Sequence, residues 1–226
     1  MKKRNLFLSL MALLFSLSPV RGQENLVVNV WDGVPADGKP QARLHVFLPE
    51  KGAKPARSVL ILPGGGYVHL ALGHEGTDWA GFFCPRGMAA FVLEYRMPAG
   101  QCDVPLADVR RALQVIRSRA AEWGLDSLQV GVMGSSAGGH LAATAAVWLP
   151  AGECPAFQIL LYPVVTMEEG VTHRGSREAL LGRNPLPAWV DHYSLERHVT
   201  AAVPRAFIAL SGNDDVVPPR NAVQYY

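Results

Sequence analysis

The chain has 226 residues, of which 49% are hydrophobic and 18% are charged. This is enough apolar material for one domain with a packed core, which argues against disorder and fibrous structure. The 21 basic and 19 acidic residues give a formal net charge of +2, too small for a protein whose affinity for nucleic acid depends on neutralising phosphates.

The first 22 residues have the pattern of a secretory signal peptide. Three basic residues at 2–4 precede an apolar run over about 6–17, and Pro19 and Gly22 follow it. This run is short for a membrane span, which needs about 20 apolar residues. We therefore expect cleavage, export to the periplasm or the extracellular space, and no stable membrane span.

Residues 23–226 are predicted to form one α/β domain. Apolar runs alternate with helical patterns, which predicts a mostly parallel, doubly wound sheet with helices on both faces. The runs 26–30 and 43–48 come first and are expected to form an antiparallel edge pair. Five further runs are expected to be buried central strands: 59–62, 89–94, 128–133, 157–161 and 206–210.

One helix and one irregular segment stand out between these runs. Apolar residues at steps of three and four predict an amphipathic helix over 106–120, which Gly124 can end. Segment 166–203 interrupts the alternation with glycines, prolines and charged residues. We expect it to be an excursion over the carboxyl edge of the sheet that shapes a pocket.

The strongest chemical signal is a Gly-x-Ser-x-Gly motif at 134–138. It directly follows an apolar strand and directly precedes a run of small residues that predicts a helix to about Trp148. A serine in such a turn projects its hydroxyl from the end of the sheet, so Ser136 is the candidate nucleophile. Ser135 is not flanked by glycine two residues away on either side, so it is the wrong serine.

A second signal is the Pro-Gly-Gly-Gly-Tyr segment at 63–67, which follows the predicted strand 59–62. Three successive glycines suggest a chain that approaches another group closely. The N–H groups of Gly65 and Gly66, with that of Ala137, form a candidate oxyanion hole. A plain tight turn is the alternative, whereas a phosphate-binding loop would need a G-x-x-x-x-G-K-[ST] pattern.

A third signal is the pair of acids Asp214 and Asp215 after the predicted strand 206–210. Two acids in a turn rich in glycine and proline are also typical of a solvated loop. Their position after Ser136, at the carboxyl end of a strand where open α/β sheets bind ligands, favours a catalytic carboxylate that orients an imidazole.

The PGGGY, GSSAGG and DDVVPP segments, in this order, make the chain resemble the α/β-hydrolase esterases. The resemblance is to the secreted acetyl-esterase and feruloyl-esterase-like enzymes of polysaccharide-degrading bacteria, the acetyl xylan esterase-like group, and it covers about 58–226. It implies hydrolysis of small acyl esters, acetyl or feruloyl, on plant cell-wall carbohydrates. It also implies Ser136 as the nucleophile and oxyanion donors from Gly65 and Gly66, with no need for a cofactor or metal.

Two points depart from the family pattern or stay open. The family turn commonly reads Asp-x-Val-Val-Pro, which fits Asp214, whereas counting forward from the glycine fits Asp215. All seven histidines precede Asp214, although the family order is Ser, Asp, His. We therefore expect the catalytic histidine to lie beyond Tyr226, the C-terminus to be truncated, and the chain alone to be inactive. We expect His140 to brace the site or pack, and His69 to line the pocket.

Other functions stay possible at this stage. A lipase, a formamidase or a peptidase can use the same fold, because fold does not select substrate. A degenerate carbohydrate-binding or interaction protein is the non-enzymatic alternative, motivated by the absent histidine.

His173 and His198 are expected on the surface or in the excursion, and three cysteines allow at most one disulfide. The sequence leaves the oligomeric state open.

Overall fold

A computed structural model describes residues 26–33, 41–50, 52 and 54–226. The predicted signal peptide at 1–22 lies outside these residues. Within the described ranges, none of the helices has the length and apolar character needed to cross a membrane.

A seven-stranded sheet in the order β1-β2-β4-β3-β5-β6-β7 forms the centre of the fold. Its strands are β1 (Leu26–Asn29), β2 (Arg43–Phe47), β3 (Ala56–Leu62), β4 (Ala89–Glu94), β5 (Leu125–Ser135), β6 (Gln158–Leu161) and β7 (Ala206–Ala209). Strand β2 pairs antiparallel with both β1 and β4, and the other pairs are parallel. The predicted antiparallel edge pair and mostly parallel sheet are thus confirmed. The expectation that the run 206–210 is a buried central strand is wrong, because β7 lies at the edge of the described sheet and is exposed.

Helices connect the strands in the predicted alternation. They are α1 (Asp78–Phe83), α2 (Val104–Ser118), α3 (Ala120–Trp123), α4 (Ala137–Trp148), α5 (Arg174–Leu181), α6 (Pro187–Tyr193) and α7 (Arg220–Tyr225). A π-helical turn, Gly73–Thr77, precedes α1. The excursion at 166–203 carries α5 and α6.

Alternate residues of β3 enter two different apolar clusters, one on each face of the sheet. Leu60 and Leu62 pack in the cluster that includes α2 and α4, whereas Val59 and Ile61 pack in the cluster that includes α1. All four side chains are fully buried. A strand covered on both faces is apolar at successive positions, which is why this segment reads as a continuous apolar run.

The predicted helix over 106–120 is interrupted near its end. Its backbone leaves the helical region at Arg119, which has φ −100 and ψ 9, so α2 ends at Ser118 and a short α3 follows. Gly124 then ends α3 with φ 68, a left-handed conformation that glycine adopts without steric cost.

All three cysteines are free thiols: Cys84, Cys102 and Cys154. Burial raises the pKa of the Cys84 and Cys154 thiols. A thiol with a raised pKa carries little thiolate at neutral pH, so these two side chains are poor nucleophiles.

Candidate active site

Ser136 lies in the turn between β5 and α4, with φ 51 and ψ −120. L-residues rarely adopt this conformation, and it persists only where the surroundings hold it. The N–H of Ser136 donates to the carbonyl oxygen of Leu161 at 3.0 Å, and its own carbonyl oxygen accepts from the N–H groups of Val164 and His140. The strained residue is therefore held by both the end of β6 and its own helix.

The two glycines of the motif are required by close backbone contacts. A Cβ on Gly134 would lie 2.0 Å from the carbonyl oxygen of Gly138, and a Cβ on Gly138 would lie 2.0 Å from that of Leu62. Neither site has room for any side chain. The tight turn of the sequence motif thus has a steric cause.

The glycine loop, residues 63–67, passes directly beside this turn. A Cβ on Gly64 would lie 2.7 Å from the carbonyl oxygen of Ser135 and 3.1 Å from the Cβ of Ser136. Gly65 and Gly66 have φ of 128 and 65, which favour glycine.

Three backbone donors belong to the glycine loop and to the residue that follows Ser136. Among the described residues, none accepts a hydrogen bond from the N–H groups of Gly65, Gly66 or Ala137. Ala137 is the first residue of α4, where a helix leaves its N–H groups unpaired. Their role as oxyanion donors stays a prediction, and the structure brings them to one edge of the sheet.

A buried carboxylate lies beneath the glycine loop. Glu75 Oε2 accepts a hydrogen bond from the N–H of Gly64 at 2.7 Å, and its Oε1 accepts one from the hydroxyl of Tyr162 at 2.9 Å. Tyr162 directly follows β6 and has φ 35. Sequence reasoning missed both side chains, because no local pattern marks either as buried at this edge.

The carboxylate of Asp214 is fixed within its own turn. Its Oδ1 accepts hydrogen bonds from the N–H groups of Val216 and Val217, each at 2.9 Å. Asp214 is half-buried, whereas Asp215 is exposed. Burial raises the pKa of Tyr162 to about 12, and nearby carboxylates, that of Asp214 among them, add to the rise. The geometry therefore favours Asp214 as the triad acid, and the assignment stays a prediction.

His140 braces the site and is unsuited to proton transfer. Its ring is fully buried, with Nε2 2.9 Å from the carbonyl oxygen of Tyr193 and Nδ1 2.9 Å from the hydroxyl of Tyr67. A carbonyl only accepts, so Nε2 donates and Nδ1 accepts from Tyr67. Burial lowers the pKa of His140 to about 4, which keeps the ring neutral at physiological pH.

Two other histidines border the glycine loop. His69 is exposed, and a Cβ on Gly65 would lie 3.1 Å from its Cδ2. His173 caps α5 through Nδ1, which accepts from the N–H of Ser176, and its Cε1 lies 3.9 Å from the position of a Cβ on Gly66. His173 was expected on the surface or in the excursion, and the structure shows that the excursion carries it to this loop. Within the described residues, no hydrogen bond joins the hydroxyl of Ser136 to a histidine ring, so the general base stays a prediction.

A cavity of about 530 Å³ is lined by His69, which follows the glycine loop, but by no residue of that loop or of the serine turn. Its volume lies within the range of small-molecule sites. Its lining combines apolar residues with polar and charged ones, including Leu70, Met97, Arg43, Glu94 and Gln101. A larger cavity of about 820 Å³, bordered by Arg117, includes neither the glycine loop nor the serine turn.

Comparison with known families and proteins gives consistent matches. The family model of the alpha/beta hydrolase fold matches residues 59–220. An acetylxylan esterase of Xylanibacter ruminicola is 34% identical over 99% of this chain and 46% of its own length. An endo-1,4-beta-xylanase B of Butyrivibrio fibrisolvens is 36% identical over 73% of this chain and 28% of its own length. The chain thus spans less than half the length of both relatives.

A solved structure gives a close match over most of the chain. The acetyl ester-xyloside bifunctional hydrolase from Caldicellulosiruptor lactoaceticus superposes with a TM-score of 0.83 and 29% identity. The match covers 89% of this chain and 79% of that protein.

Proposed function

Because this chain belongs to the alpha/beta hydrolase family, we propose that it is a serine esterase that removes small acyl groups, acetyl or feruloyl, from plant polysaccharides or oligosaccharides. The observation that carries this proposal is the strained turn at Ser136, with unpaired N–H groups beside it. Strained backbone at such a position is a frequent sign of a functional site.

The proposed reaction proceeds through an acyl-enzyme. Ser136 Oγ bonds to the acyl carbon while its proton passes to a histidine, which Asp214 orients. The carbonyl oxygen becomes negative and accepts hydrogen bonds from the glycine loop and Ala137, each worth about 3 kcal/mol. The imidazolium then gives its proton to the sugar oxygen as the ester C–O bond breaks, and water repeats the steps to release the acid.

The carbohydrate part of the proposal is supported by the relatives and by the cavity. The names of the two relatives and of the solved structure refer to xylan or xyloside. The cavity is lined by His69, whose backbone packs against Gly65 of the glycine loop, and by charged and amide side chains. Such groups suit hydroxyl-rich ligands, so we place the sugar part of the substrate there.

A substrate panel tests the proposed function in the full-length gene product. We expect release of acetate from acetylated xylan, and faster hydrolysis of p-nitrophenyl acetate than of p-nitrophenyl decanoate. Diisopropyl fluorophosphate should label Ser136, as detected by mass spectrometry of the peptide. Faster turnover of the decanoate would favour a lipase, and turnover of only an amide would favour a formamidase or peptidase.

The same labelling separates the enzyme from a carbohydrate-binding protein. A degenerate hydrolase would bind xylan oligosaccharides without reacting with the fluorophosphate, and this result would contradict the proposal.

We also propose that the protein is exported, on the basis of the signal-like pattern at 1–22. N-terminal sequencing of the protein recovered from its native cells should begin near residue 23. Recovery with the first residues intact would contradict this proposal.

A further inference from the structure

Glu75 is a buried ionisable side chain that the proposed reaction does not use. Its relative exposure is 9%, and a carboxylate at such a position requires hydrogen-bond partners. Those partners come from two different strand ends. Gly64 follows β3 and Tyr162 follows β6, and β5, which leads to the nucleophile, lies between β3 and β6. The carboxylate therefore bridges the two strands that flank the strand of Ser136.

This bridge makes contact with the turn of the nucleophile. A Cβ on Gly64 would lie 2.5 Å from Glu75 Oε2 and 3.1 Å from the Cβ of Ser136. The carboxylate and Ser136 thus pack against the same α-carbon. A substitution at Glu75 therefore removes a contact that holds Gly64 in place against Ser136.

The bridge also occupies one N–H group of the glycine loop and leaves two others without a partner among the described residues. The N–H of Gly64 is engaged by Glu75, whereas no described residue accepts from those of Gly65 and Gly66. Gly65, Gly66 and Tyr67 all have positive φ, and Tyr162 has φ 35. Such conformations persist only where other contacts hold them, and Glu75 supplies one contact at each side.

We propose that Glu75 is a positioning residue that holds the oxyanion donors of the glycine loop in register with Ser136. The proposal rests on the proposed esterase function. Glu75 bonds to Gly64 and Tyr162 and would act through the oxyanion donors, so we expect its effect on the transition state, where the oxyanion forms, and not on ground-state binding.

Three variants separate this role from simple structural support. Glu75→Ala removes both hydrogen bonds. Glu75→Gln can keep both, because its amide oxygen accepts from Gly64 and its NH₂ group donates to the hydroxyl of Tyr162. Tyr162→Phe removes only one. Glu122→Ala is the matched control, since that carboxylate lies on the surface and pairs with Arg119.

In the full-length gene product, Glu75→Ala should lower kcat on p-nitrophenyl acetate by about 100-fold with KM within about threefold of wild type. A methyl trifluoromethyl ketone, which forms a tetrahedral adduct with the serine, should lose affinity by a similar factor. Glu75→Gln should recover most of both, Tyr162→Phe should show a smaller loss, and the control should match wild type.

The ratio of ketone affinity to KM distinguishes positioning from structural support. A merely structural role would leave this ratio unchanged in the folded protein, and that result would overturn the proposal. If Glu75→Ala does not fold, Tyr162→Phe decides, because unchanged kcat and ketone affinity in that variant would also overturn it.

Hydrogen exchange gives a readout that does not depend on activity. The amides of the glycine loop should exchange faster in Glu75→Ala than in wild type or Glu122→Ala. If wild type hydrolyses no ester, the proposed function is wrong. The exchange rates then test, without any activity measurement, whether Glu75 positions the glycine loop. Unchanged exchange in the glycine loop would overturn the positioning role.

Discussion

The carboxyl edge of the sheet has two halves that are held in different ways: the nucleophile half, at the ends of β3, β5 and β6, and the acid half, after β7. In the nucleophile half, contacts cross between strands. The N–H of Ser136 donates to Leu161, and the N–H of Gly64 donates to Glu75, whose other oxygen accepts from Tyr162. Backbone segments there lie so close that no side chain fits at the motif glycines.

In the acid half, the contacts of Asp214 are local. The N–H of Asp214 donates to the carbonyl oxygen of Ser211, and among the described residues its carboxylate accepts from N–H groups of the same turn alone. The strand before it is exposed in the described structure, with Phe207 63% accessible. The nucleophile turn thus depends on contacts between strands, whereas the Asp214 carboxylate is held by its own turn.

The largest expected effect is chemical and lies in the nucleophile half. Ser136→Ala should lower kcat/KM on p-nitrophenyl acetate in the full-length gene product by about 10⁵-fold, because no other group replaces the nucleophile. Thermal unfolding should stay close to that of wild type. Ser135→Ala is the control and should remain within about tenfold of wild type. Substantial turnover by Ser136→Ala would show that Ser136 is not the nucleophile.

A second large effect is expected in the acid half. Asp214→Asn should lower kcat by about 10³- to 10⁴-fold, because a neutral amide cannot stabilise the imidazolium. The amide oxygen can still accept from Val216 and Val217, so the turn should persist. Asp215→Asn, at an exposed position, should change kcat by less than about tenfold. The opposite ranking in steady-state kinetics would assign the triad role to Asp215.

The close packing of the nucleophile half predicts a large loss of stability. Gly138→Ala would place a Cβ 2.0 Å from a backbone oxygen of Leu62, so the free energy of unfolding should fall by about 3 kcal/mol or more. Gly81→Ala is the matched control in α1, because a Cβ there meets nothing within 4 Å. Urea denaturation should show the control as stable as wild type or more so. Equal stability of the two variants would contradict this prediction and show that the backbone of the turn can move to accommodate a Cβ at Gly138.

A smaller, pH-dependent effect is expected at His140, which joins α4 to the excursion. Its pKa of about 4 in the folded state is below the ordinary value of 6.5. As pH falls below 6.5, the unfolded chain binds this proton before the folded protein does, so stability is complete above pH 6.5 and is lost toward pH 4. The contribution lost between pH 7 and pH 4.5 should be about 2 to 3 kcal/mol.

Urea denaturation at the two pH values tests the role of His140. His140→Gln cannot titrate, so it should lose about 2 to 3 kcal/mol less than wild type over this interval. His69→Gln changes an exposed ring and should behave as wild type does. The same pH dependence in wild type and His140→Gln would contradict the assignment.

The sequence alone was informative where the requirement is local. The turn at Ser136 needs glycine two residues before it, because a Cβ on Gly134 would meet the backbone of Gly138, four residues later. Strands β3, β4 and β5 were recognised because strands covered on both faces must be apolar at successive positions. The same pattern misled at 206–210, since β7 is an exposed edge strand. The acidic turn was recognised in the same way, since its hydrogen bonds join residues two or three apart.

Only the tertiary structure decided which polar side chains are buried at the site. Glu75 and Tyr162 are 87 residues apart and meet because β3 and β6 flank β5. His140 is neutral because it is buried, and its partner carbonyl on Tyr193 lies 53 residues later, in the excursion. Burial of a polar group depends on partners that strand order brings together, and no neighbouring residues in the chain encode that order. The backbone turns could therefore be predicted from contiguous residues, whereas the hydrogen-bonded support beneath them could not.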